Sequence, residues 1–249
     1  MPFTFAHPAL IIPLKKVRGG LSLTALAVGS MVPDFENFFN MQETEVTSHQ
    51  LSGFFLFDLP VGLFACFLFH NLLKHGFVEN LPRFYQRRFS HLVAVNWNSY
   101  AAKNPVAVIF SLVMGILSHL SWDAFTHHDG LVVSVIPFLS AEINLFGKSL
   151  PIFFILQLVS SVAGCWFVYK MISRMPQTAA RNPFRQKITY WLVFAGSLLL
   201  IMAIRFLCWP DAQSYLSIIK ACMGGLLYAW VTASFIYKYT GWIKFKTHP

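Results

Sequence analysis

The chain has 249 residues, of which 56% are hydrophobic and only 12% charged, and 26 are phenylalanine. A soluble domain carries about 25% charged residues, so a water-soluble globular class is excluded and an integral membrane protein is expected. The formal net charge is +9, but the basic residues fall between apolar runs instead of along one helical face. That pattern speaks for membrane topology and against a nucleic-acid partner.

The chain opens Met-Pro-Phe-Thr-Phe-Ala-His-Pro, without a basic leader and with prolines interrupting the apolar stretch. It reads as a poor signal peptide that stays on the mature protein. Leu21–Val32 is apolar but too short to span; it follows Gly19-Gly20 and ends at Pro33. A re-entrant or partly buried helix fits it, with residues 8–14 as the other arm of a hairpin. Five later stretches reach the roughly 20 residues a spanning helix needs. They are Phe54–Leu73, Pro105–Phe125, Pro151–Met171, Ile188–Leu207 and Tyr215–Tyr237. The expected fold class is therefore all-α: an integral membrane helical bundle of about five transmembrane helices plus the N-terminal hairpin. It forms a single membrane domain over residues 1–249, with a metal-site half at 1–130 and scaffold helices at 131–249.

Basic residues set the orientation. Lys74, Arg83, Arg87, Arg88 and Lys103 lie between the first two spans, and Arg174, Arg181, Arg185 and Lys187 between the third and fourth. Lys238, Lys244 and Lys246 end the chain. These segments are expected to be cytoplasmic. The opposite segments carry Asp34, Glu36, Glu43, Glu45, Asp129, Glu142 and Asp211, while Lys15, Lys16 and Arg18 fit this scheme less well. Cys66, Cys165, Cys208 and Cys222 lie in or beside apolar runs and form no CxxC pair, so packing is their expected role.

The chemistry sits at the outer end of the second span, in Leu-Ser-His-Leu-Ser-Trp-Asp-Ala-Phe-Thr-His-His from Leu117. His119, Asp123 and His127 are spaced i, i+4 and i+8. Ionisable side chains at membrane depth cost roughly 2.5–3.5 kcal/mol each on insertion scales, which makes them functional candidates. On a regular helix the three share one face but rise about 12 Å, too far for one ion. Either Asp123 bridges two ions, or the helix unwinds near Thr126 so that His127 swings back; His128 would face away. Asp34 and Glu36 follow the short apolar helix, His49 follows Thr47-Ser48, and His7 lies near the start. Together they can supply Asp, Glu and His ligands from separate segments. A hydrogen-bonded contact between helices remains the other reading of the His119–Asp123 pair.

His7, Val-Pro-Asp-Phe-Glu, Ser-His-Gln-Leu and Ser-His-Leu-Ser-Trp-Asp-Ala-Phe-Thr-His together resemble the bacterial membrane-bound metal-dependent hydrolases. That group includes the LexA-binding inner-membrane hydrolases and a related uncharacterised family beginning with Pro-Phe-Thr-Phe-like residues. The order of ligands is also similar to that of the soluble zinc-dependent phospholipases C, in which three zinc ions share such residues and one aspartate bridges two. The resemblance covers about residues 1–130. It implies His7, Asp34, His49, His119, Asp123 and His127 as metal ligands, with Glu36 a weaker one. It also implies a bacterial inner-membrane location. No second downstream HxxxE pair is present, so one or two ions are expected instead of three.

These readings combine into an expected function. The protein is a membrane-embedded hydrolase using one or two zinc ions, or another divalent transition metal, with a metal-bound water as nucleophile. Its substrate is a phosphoester such as a phospholipid or lipid-linked phosphate. Glu36 or Asp58 would orient that water or take its proton, and Arg205 and Lys220 would hold a lipid phosphate. Alternatives are an amidase or peptidase on the same site, and a transport or regulatory membrane protein with a structural polar cluster. The partners expected are the lipid bilayer and the lipid substrate, without nucleic acid; the C-terminus is expected to be cytoplasmic and the site toward the outer face.

Overall fold

The computed structural model describes residues 3–14, 20–42, 47–145, 147–178, 184–209 and 214–239. Lys15, Lys16, Arg18, Glu43, Glu45, Arg181, Asp211, Lys244 and Lys246, which entered the orientation reading, lie outside the described residues.

A 3-10 turn at Thr4–Ala6 leads into α1 (Pro8–Ile11), where Pro8 stands at a first-turn position that needs no N–H donor. Ser22 caps α2 (Leu23–Gly29), its hydroxyl accepting from the Ala25 N–H at 3.3 Å. At 7 residues α2 cannot span a bilayer, and its Ala25 and Leu26 are fully buried. It is the expected partly buried element. A second 3-10 turn, Val32–Asp34, precedes α3 (Phe35–Asn40).

The first long helix, α4 (Leu51–Asn80), contains two wide π-type turns at Phe54–Asp58 and Phe69–Leu73. After α5 (Arg83–Val93) and α6 (Trp97–Lys103), Pro105 opens α7 (Pro105–Thr126). Short helices α8 (Leu131–Val135) and α9 (Pro137–Ser140) lead to a two-stranded antiparallel hairpin. There β1 (Glu142–Leu145) pairs with β2 (Lys148–Pro151), with Glu142 opposite Pro151 and Leu145 opposite Lys148. The chain continues with α10 (Ile152–Ser173), α11 (Phe184–Cys208) and α12 (Tyr215–Tyr239).

Five helical stretches are long and apolar enough to cross a membrane: Leu51–Asn80, Pro105–Val135, Ile152–Ser173, Lys187–Cys208 and Tyr215–Tyr239. The chain is an all-α membrane bundle, the hairpin being its only sheet among the described residues.

Two compact units divide the chain. The first comprises Met1–Asp34, Thr47–Phe64 and Asn104–Ser173; the second Phe35–Val46, Ala65–Lys103 and Arg174–Pro249. The first unit runs past residue 130, where the sequence reading placed the end of the metal-site half.

In the first unit α2 lies directly on α7. A Cβ on Gly29 would come 2.3 Å from the Leu112 carbonyl oxygen, and one on Gly115 would come 2.6 Å from that of Leu26. Both positions therefore require glycine for the backbones to approach this closely. Ser111 adds a hydroxyl that accepts from the Ser22 N–H at 2.8 Å. Ile11, Leu21 and Leu26 form the apolar plug beside this contact.

In the second unit α12 presents a stripe of small buried residues, Ala221, Gly224, Gly225, Ala229 and Ala233. Close helix packing in lipid uses such stripes. Tyr190, Ala233 and Tyr237 form its aromatic core.

Candidate metal centre

His119 and Asp123 stand one turn apart on α7, 0% and 6% exposed. The His119 Nδ1–H donates to the Ser30 carbonyl at 2.9 Å. That bond sets the tautomer and leaves the Nε2 lone pair directed inward, as ligating histidines are commonly held. It depends on the glycine contact between α2 and α7, which brings the end of α2 within reach of the His119 ring. Nε2 lies 3.2 Å from Asp123 Oδ2 and 3.7 Å from Asp34 Oδ1.

Asp34 ends the Val32–Asp34 turn and is fully buried. Thr4 donates its hydroxyl to Asp34 Oδ2 at 2.5 Å, leaving Oδ1 for the cluster. Burial raises the Asp34 carboxyl above its ordinary range. His7 arrives from the N-terminal turn and stacks on His119, with ring centroids 3.9 Å apart and planes 16° from parallel. Its Nε2 lies 3.7 Å from Asp123 Oδ1. Burial pushes the His7 imidazole down to about 3, with the adjacent His119 adding to the effect.

His49 approaches from the open side. Its Nε2 lies 3.4 Å from Asp123 Oδ2 and its side chain is 31% exposed. The neighbouring Ser48 hydroxyl lies 3.2 Å from its Nδ1. At the other edge α7 stops at Thr126 and His127 takes an extended conformation, its N–H still bonded to the Asp123 carbonyl. The ring thereby turns back, placing Nδ1 3.6 Å from Asp123 Oδ1 and 3.2 Å from the Asp123 carbonyl oxygen. Unwinding after Thr126 thus turns the His127 ring back toward Asp123. Both Asp123 oxygens face imidazoles: Oδ2 those of His119 and His49, Oδ1 those of His7 and His127.

Two sets of donor atoms each lie within 4.8 Å of one another and could hold a metal ion: His7, His119 and Asp123, and Asp34, His49 and His119. They share His119. Six buried atoms in this cluster have no hydrogen-bond partner among the described residues: both ring nitrogens of His7, Asp34 Oδ1, His119 Nε2 and both Asp123 oxygens. Buried polar atoms are costly when unsatisfied, more so in a membrane protein. Converging imidazole and carboxylate donors fit a divalent transition metal.

The remaining sequence candidates belong to neither donor set. His127 approaches Asp123 but belongs to neither donor set. Asp58 is fully buried on the wide turn Phe54–Asp58, which packs against Val32–Asp34, and it too is outside both sets. Glu36 lies on α3 in the second unit, as do Arg205 on α11 and Lys220 on α12. Arg205 is engaged by backbone: Nε donates to the Met41 carbonyl at 2.9 Å and Nη1 to the Trp209 carbonyl at 2.8 Å. His128 is exposed, with an edge contact to Phe153. Thr4, Ser30 and Ser48 are the supporting groups that sequence reading missed. A hydroxyl three residues before His7 and another beside His49 were the available signals; a main-chain carbonyl has none.

No curated protein and no solved structure matches the chain. A family described as a domain of unknown function, DUF4184, matches residues 1–237 and so takes in every residue of this cluster. The chain belongs to the DUF4184 family.

Proposed function

We propose that this protein is a membrane-embedded, metal-dependent hydrolase that cleaves a phosphoester of a phospholipid or lipid-linked phosphate. The observation that carries the reading is Asp123. Its two buried oxygens each face two imidazoles and have no hydrogen-bond partner among the described residues. A buried carboxylate at membrane depth with imidazoles gathered on both oxygens is a functional-site candidate.

One or two zinc ions, or another divalent transition metal, would be held by His119, Asp123, Asp34, His49 and His7, with His127 at the edge. Such an ion acidifies water and polarises a phosphoryl oxygen. The chain's own residues do the positioning. Ser30 fixes the His119 ring, Thr4 orients Asp34, and the stacked His7 seals one side against water. The exposed edges of His49 and His127, 31% and 23% of their side chains, leave one approach for substrate. Asp58 supplies a further carboxylate within the same unit for orienting water. The distribution of Arg83, Arg87, Arg88, Lys103 and Arg174 supports a topology with the C-terminus cytoplasmic and the site toward the outer face, and the resemblance implies the bacterial inner membrane.

The test is hydrolysis by the full chain in detergent, loaded with zinc or manganese and offered phosphatidylglycerol or a chromogenic phosphodiester. Wild type should turn over substrate. Asp123→Asn should lose more than the roughly 100-fold that removing a supporting partner costs. Full activity in Asp123→Asn would refute the reading.

A further inference from the structure

A second site lies in the second unit, where α4 ends and the spanning part of α11 begins. A cavity of about 720 Å³ opens there, lined by Pro82, Arg83, Lys187, Ile188, Trp191 and Leu192 together with Asn80. Its rim is rigid. Lys187 donates to the Leu81 carbonyl at 2.8 Å and to Gln86 Oε1 at 3.0 Å, and the Trp191 indole donates to the Asn80 carbonyl at 2.9 Å. Two cations share the cavity, and no Asp or Glu is among its lining residues. Arg83 itself is exposed and has no hydrogen bond or ion pair among the described residues.

The lining of the cavity identifies its chemistry. Asn80 ends the apolar helix α4 and Lys187 stands in the first turn of the apolar helix α11, so both cations lie at the polar ends of apolar helices. Below them Ile188 and Leu192, 44% and 66% exposed, run down one face of α11 toward Leu199 at 72%. Above, α5 carries Arg83, Arg87 and Arg88 with Phe84 and Phe89, and Arg88 stacks on the Phe84 ring at 3.9 Å. A basic, aromatic-edged helix at this level suits a membrane surface. The cavity is therefore cationic at its mouth and apolar down its wall.

We propose that it binds one anionic phospholipid, with the headgroup phosphate between Arg83 and Lys187 and an acyl chain along Ile188 and Leu192. This site does not depend on the hydrolase reading.

Native mass spectrometry of the full chain in detergent tests it, with phosphatidylglycerol, phosphatidylcholine and inorganic phosphate as probes. Phosphatidylglycerol should bind about tenfold more tightly than phosphatidylcholine, and Arg83→Ala and Lys187→Gln should each weaken it roughly fivefold, as expected for one surface cation. Arg83→Lys should restore the affinity. Equal binding of the two lipids would overturn the proposal, as would unchanged phosphatidylglycerol binding by Arg83→Ala that elutes as wild type. Displacement of the lipid by millimolar inorganic phosphate would also overturn it, assigning the cavity to a free anion.

Discussion

Within the second unit, Tyr190 and Ser234 share a hydrogen bond at 3.1 Å, Tyr237 donates to Glu79, and Arg205 donates to two carbonyls. Single atoms of Asn37, Asn80, Arg205 and Trp230 go without a partner there among the described residues. In the first unit, six partnerless atoms on four residues converge around Asp123. Both units face the same hydrocarbon and should be under the same pressure to pair polar groups. One pairs them internally, leaving isolated lapses; the other gathers the lapses at a single point. The difference is that between a self-paired scaffold and a cluster that could hold a metal ion.

Metal removal is the strongest way to break this comparison. A ligand at 100 to 1,000 times its Kd stabilises the folded state by about 2.7 to 4.1 kcal/mol. Chelation should therefore lower the thermal midpoint of wild type clearly and leave Asp123→Ala unmoved. Elemental analysis of the same samples should find one or two equivalents of metal in wild type only. Chelator-insensitive wild type without stoichiometric metal would reduce the cluster to an unsatisfied helix contact.

A smaller effect sharpens the role of the supporting groups. Thr4→Val keeps the shape of residue 4 but removes the hydroxyl that holds Asp34. Loss of such a partner typically costs 10–100-fold in metal affinity. Competition against a zinc indicator should show a loss of this size, with the fold retained. An unchanged affinity would mean that Asp34 is no ligand.

The two titrating groups outside the spans give opposite slopes against pH. Burial holds His7 at about 3 against the ordinary 6.5, so the unfolded chain takes up its proton first as pH falls. Stability from a neutral His7 is present above about 6.5 and drains away between there and about 3. Asp34 is raised above its ordinary 3.8, so its contribution is present at low pH and is lost as pH rises through the folded value. Each proton contributes at most about 1.4 kcal/mol per pH unit. For chelator-treated protein scanned from pH 4 to 7, His7→Asn should flatten the rise of stability with pH and Asp34→Asn should steepen it. Slopes moving in the same direction would contradict the burial of one of the two.

The pair at the heart of the site was legible because ionisable residues at i, i+4 in an apolar run are too costly to persist without serving a site. Span limits were legible from hydropathy where apolar character ends sharply: Pro105–Phe125 was expected, and α7 runs Pro105–Thr126. The first span was expected at Phe54–Leu73, yet α4 covers Leu51–Asn80. Lys74, Glu79 and Asn80 lower the hydropathy there without interrupting the helical hydrogen bonds. The hairpin Glu142–Pro151 lay in a segment that hydropathy leaves blank, with Gly147 at φ 79° its local cue. Least legible was what orders the ligands. The lock on His119 is a main-chain carbonyl, delivered by Gly29 and Gly115 from distant parts of the chain, and nothing in a linear sequence marks two glycines as touching.

The scaffold side of the comparison carries the smallest effect. Tyr190→Phe deletes the hydroxyl that bonds Ser234 inside the fully buried Tyr190–Ala233–Tyr237 core, while keeping the ring and its packing. A hydrogen bond of this kind is worth about 0.5–1.5 kcal/mol net, since Ser234 can redirect its own hydroxyl to its helix backbone. The thermal midpoint should fall by that modest amount, with metal content and any hydrolytic rate held at wild-type values. Loss of metal on so small a change in the second unit would show that the aromatic core participates in ordering the ligands. The division into scaffold and site would then give way to one coupled machine.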